Sequence, residues 1–165
     1  MWAISKQKVE NFFDRMTRSM NLDTKKILSW YSYVLFIAPL LFWALIALRG
    51  CASNQSIKMM IMKQPAVAIA TIAAIVDFGL GYYLMLNKKQ FLVNRQTYRF
   101  FMASQLIGQI LVGNLLCGVL AILGMYKAKT LKKMQDNISP IVIAISLVAA
   151  VLLALCFMLI LLLEF

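Results

Sequence analysis

Asp77 is the one charged side chain that stands deep inside a long apolar run, from about Pro65 to Leu86. A charged carboxylate at the centre of a hydrocarbon layer costs at least about 2.5–3.5 kcal/mol on insertion scales. A carboxyl placed there must find a partner or take up a proton. Its helical face carries Ala66, Ala70, Ala73, Ala74 and Gly81, all small enough to let a second helix come close. A matching polar set stands in the next apolar run. Gln105, Gln109 and Gly113 are spaced by four, Asn114 and Gly118 make a neighbouring stripe, and Gly108 adds a further small position. In an antiparallel pair of helices Asp77 falls at the depth of Gln109 to Asn114. The expected site is therefore a polar cluster of Asp77 with Gln109 or Asn114, with Gln105 on the same stripe. Two chemistries suit it. One is a hydrogen-bonded clamp, worth about 0.6–2 kcal/mol per bond. The other is a site for a proton or a cation.

Other chemistry is thinly represented. The sequence holds no histidine, which removes the commonest general base and every His-based metal site. Cys51, Cys117 and Cys156 are far apart and fit no metal or redox spacing. There is no glycine-rich phosphate loop, and the lysines flank the apolar runs rather than enter them. The expectation is a protein that is not an enzyme and that uses no cofactor and no metal.

The elements that must position Asp77 are membrane helices. Of the 165 residues, 62% are hydrophobic, and they collect in four blocks at about 27–48, 65–86, 100–125 and 139–163. About 20 apolar residues at 1.5 Å each match a hydrocarbon layer of about 30 Å. The predicted fold is an all-α integral membrane protein with four transmembrane helices in a bundle. Pro65 and Pro140 open two of the blocks, where proline suits a first turn, and Pro39 is expected to kink the first. Trp30, Tyr31 and Tyr33 read as an aromatic belt at one interface. Before the bundle, in residues 1–26, Val9, Phe12, Phe13, Met16 and Met20 recur at helical spacing among basic residues. That pattern predicts an amphipathic helix lying in the membrane interface. The first apolar block is too long for a signal sequence and is expected to act as an uncleaved anchor.

Seventeen Lys and Arg against six Asp and Glu give a net charge of +11. No basic stripe alternates with stacking aromatics, so nucleic acid is not the expected partner. The cations stand at the ends of the apolar blocks, where they meet anionic lipid headgroups. With four crossings, segments 1–26 and 87–99 share a side and hold ten of the cations, while 49–64 and 126–138 hold seven. That small bias favours both termini in the cytoplasm and leaves inverted or dual insertion open; the cell membrane is the expected location.

An offset of 75 lays Pro65 on Pro140, Lys58 on Lys133, Thr71 on Ser146 and Ser29 on Ser104, which suggests two helical hairpins in tandem. The sequence favours a non-enzymatic accessory or regulatory subunit, or a scaffold, of a membrane assembly. The runner-up is a small proton- or cation-coupled transporter or channel subunit centred on Asp77. A third class, an immunity or stress protein that shields a membrane target, also fits. The expected partner is another membrane protein or a second copy of the chain.

Overall fold

The computed structural model describes residues 23–131 and 139–164. The interfacial helix expected over 1–26 lies outside them, apart from its last four residues. The described residues are all-helical. They form α1 (Thr24–Ala52), α2 (Ile57–Lys63), α3 (Pro65–Val93), α4 (Arg95–Leu111), α5 (Leu115–Lys127), a 3-10 turn (Ala128–Thr130) and α6 (Pro140–Glu164). Three helices are long and apolar enough to cross a membrane: α1, α3 and α6.

Local chemistry accounts for the helix limits. Asp23 caps α1 by accepting from the Thr24 N–H at 2.8 Å. The helix then runs unbroken through Pro39, which is buried. Pro65 opens α3 in its first turn. Near its far end Asn87 leaves helical geometry, with φ −111° and ψ 20°, and its amide donates to the Tyr83 carbonyl at 3.2 Å. Asn94 starts α4 by accepting from the Gln96 N–H at 2.9 Å.

The third apolar block, read as one span over 100–125, is two helices. Gly113 has a φ of +79°, a left-handed backbone that glycine adopts readily and that ends a helix. Asn114 then restarts the chain, its side chain accepting from the Cys117 N–H at 3.3 Å. Between them the chain reverses. A β-carbon on Gly124, late in α5, would lie 2.8 Å from the Tyr98 hydroxyl and 3.1 Å from the Met102 sulfur, both early in α4. Nearer the turn, one on Gly118 would meet Ile110 and Leu106. α4 and α5 are thus a tight antiparallel hairpin. Its tip lies at the level of Pro39 and Asp77, close to the midpoints of α1 and α3.

The remaining contacts order the ends of the bundle. The Thr24 hydroxyl donates to the Lys127 carbonyl at 3.1 Å, and Lys88 Nζ donates to the Ser29 hydroxyl at 3.2 Å. The start of α1, the end of α3, the start of α4 and the end of α5 therefore gather at one end. α6 also begins there, since Val142 joins the core of Phe91, Tyr98 and Phe101. Further along it Leu153 packs on Gly108, and Leu153 and Cys156 pack with Ile69 and Ala73 toward the Pro65 end. Asp23 and Glu164 consequently lie at opposite ends of the bundle. The expectation of termini on one side rested on four crossings, and the hairpin returns where the third would have continued. The two halves also differ in course, because the segment paired with α1 at the offset of 75 is the one that folds back.

Packing is tightest in the half that holds the hairpin. Phe101 makes edge-on contacts with Tyr31 at 6.3 Å and with Phe91 at 4.7 Å between ring centroids. α1 and α3 meet most closely at Gly81, where a β-carbon would lie 2.9 Å from the Phe36 nitrogen. A backbone atom cannot yield as a side chain can. Gly81→Ala is expected to lower resistance to denaturing detergent by about 1–3 kcal/mol. Gly79→Ala, with nothing within 4 Å of the new methyl group, should leave it unchanged.

Candidate functional site

Asp77 sits where the hairpin ends. Gln109, in the last turn of α4, donates through Nε2 to Asp77 Oδ1 at 2.7 Å. Both residues are buried, Gln109 completely. One turn earlier Gln105 accepts from the Tyr31 hydroxyl at 3.4 Å. Asn114 caps α5 and interacts with the same carboxyl. The positive end of α5 is thereby set beside Asp77, where it favours negative charge.

The small residues divide by role. Ala70, Ala73 and Ala74 line one wall of a cavity of about 200 Å³ that reaches the carboxyl. Ala38, Pro39 and Phe42 of α1 make the facing wall, and Val112 and Asn114 at the hairpin tip close it above. Gly81 is the contact with α1, and Gly108 is the contact with α6, where a β-carbon would meet Leu153 Cδ1 at 2.8 Å. Two expected packing positions are otherwise employed. Ala66 is exposed. Gly113 has open space around it and serves the turn instead of a helix interface.

Tyr31 was expected in an interfacial belt and is fully buried against the hairpin. Its spacing shows why: Tyr31, Leu35 and Pro39 recur every four residues on one face of α1, and that face is turned inward. Trp30 and Tyr33, off that face, are exposed.

The site retains unused hydrogen-bonding capacity. Gln109 Oε1 and Gln105 Nε2 are buried without a hydrogen-bond partner, as are the hydroxyls of Thr71, Tyr98 and Ser146. Such groups are rare in native interiors and mark places that take up water or a ligand. Among the described residues no three His, Cys, Asp or Glu side chains come together as they would around a multivalent metal. One carboxyl with amide neighbours suits a proton or a monovalent cation, or a structural clamp. No protein-family model, no curated protein and no solved structure matches the chain.

Removing one partner of the Asp77–Gln109 pair strands the other in the interior. Gln109→Leu is expected to lower stability in a detergent titration by about 0.6–2 kcal/mol. The double variant Asp77→Leu/Gln109→Leu should recover most of that loss, since neither polar group then remains unpaired.

Proposed function

We propose that this chain is a non-enzymatic, multi-pass membrane protein that binds a proton or a small monovalent cation at Asp77. It works as a small transporter or channel subunit in the cell membrane. The observation that carries this reading is the cavity that reaches the carboxyl beneath the hairpin tip. A carboxyl that served only to clamp two helices would be better sealed on all sides, because any opening weakens its bond to Gln109. Here the carboxyl keeps one face on the cavity and the other on an amide. One chain encloses little volume, so a homo-oligomer is the expected working form.

A second reading is favoured by the lining of that cavity. Its α3 wall is built from alanines, and small residues are what a neighbouring helix packs against in a membrane. An accessory subunit of a larger assembly would receive a partner's helix there.

Asp77→Asn separates the two readings, because it keeps shape and hydrogen bonding but abolishes ionisation. In liposomes holding the purified protein, an imposed proton or sodium gradient should decay faster than in empty vesicles. Asp77→Asn should bring the decay back to the empty-vesicle rate. Equal fluxes from the two proteins would reject the transport reading. A stoichiometric membrane partner recovered equally well by both would then support the accessory one.

A further inference from the structure

The path to Asp77 is one-sided. At the Thr24 end, Tyr31, Phe91, Tyr98, Phe101 and Met102 are all fully buried and fill the space between the carboxyl and that surface. Toward the Pro65 end the hairpin is missing, because its tip stops beside Asp77. There the cavity runs along α3 from Asp77 to Ala70. Seven residues of helix make that distance about 10 Å. The cavity thus extends from the carboxyl toward the Pro65 end as far as Ala70 and Phe42.

The same hairpin sorts the charges. Lys25, Lys26, Lys88, Lys89, Arg95, Arg99, Lys127 and Lys129 gather at the Thr24 end. The Pro65 end has Arg49, Lys58 and Lys63. Over the described residues four continuous crossings would divide these cations six to five, whereas the returning hairpin divides them eight to three. Cytoplasmic loops carry the excess of Lys and Arg.

We infer that the Pro65 end faces away from the cytoplasm and that the cavity is an external vestibule, so Asp77 takes its proton or monovalent cation from the outside. This deepens the function proposed above and rests on it for the identity of the ligand. The direction of access rests on charge and packing alone. The packed aromatic half then closes the route to the cytoplasm, and the basic end repels cations on that side. The described bundle is the outward-facing arrangement of the site.

A native residue tests the orientation without any substitution. Cys51 is exposed at the end of α1, near the external mouth, while Cys117 and Cys156 are buried. A membrane-impermeant maleimide added to intact cells carrying the full chain should label Cys51. Labelling only after lysis would overturn the proposal. Access is tested with Ala70→Cys in a Cys51→Ser background. External methanethiosulfonates should modify it, the cationic reagent several-fold faster than the anionic one, and Asp77→Asn should erase that preference. No modification from outside, or no charge preference, would overturn the vestibule. The arms separate this inference from the proposed function. External labelling with liposome flux indifferent to Asp77 keeps the vestibule and rejects transport. Asp77-dependent flux with Cys51 shielded in intact cells does the reverse.

Discussion

A chain that reverses direction inside a hydrocarbon layer must hide the backbone groups that the reversal frees, because no water is present to take them. The turn between α4 and α5 meets that constraint locally. The Gly113 N–H donates to the Ile110 carbonyl at 3.1 Å, and the Asn114 N–H donates to the Gln109 carbonyl at 2.8 Å. The Leu115 N–H returns to the Gly113 carbonyl at 3.0 Å. The Asn114 side chain takes the Cys117 N–H. With these backbone groups paired, the tip needs only to be held in place. The hydrogen bond from Gln109 to Asp77 ties it to the middle of α3. The carboxyl is thus the anchor of the reversal and borders the cavity left beneath its tip.

The two halves of the bundle are built from different residues because they solve different packing problems. Where five helices meet, large rings fill the space, and Gly124 and Gly118 let the two arms of the hairpin lie close. Where three helices remain, α3 presents alanines, and filling the gap with bulky side chains would have sealed the carboxyl. Gly81 stands near the boundary and brings α1 against α3 at the level where the hairpin ends. The unpaired amide atoms of Gln105 and Gln109 lie along α4 above this boundary.

Much of this was legible in the sequence, and the failures share a cause. Hydropathy located the apolar blocks and the isolation of Asp77, and four-residue spacing grouped Gln105 with Gln109. Hydropathy carries no direction, however. A 26-residue run that is mostly apolar reads alike whether it crosses the bilayer or turns back halfway. Gly113 and Asn114 were visible, but an intrahelical stripe and a left-handed turn with a cap use the same residue types. Reading that block as one crossing also fixed the side expected for every later segment, since each inherits its side from the one before. Tyr31 was misread because aromatic residues near a helix end serve interfaces and cores equally, and only the inward face shared with Leu35 and Pro39 separates the two. The cavity had no signature of its own, being made by the absence of helix where the hairpin stops.

The hairpin also tapers the bundle of described helices. Among the described residues, five helical segments stand side by side at the Thr24 end, while three continue to the other, where only the short α2 joins them. In a bilayer such a body displaces more lipid from one leaflet than from the other. The surrounding membrane relaxes by bending, with the crowded leaflet on the convex side. A wedge of this kind is drawn to regions that already curve that way. Several copies gathered with their narrow ends together would impose such curvature on a flat membrane.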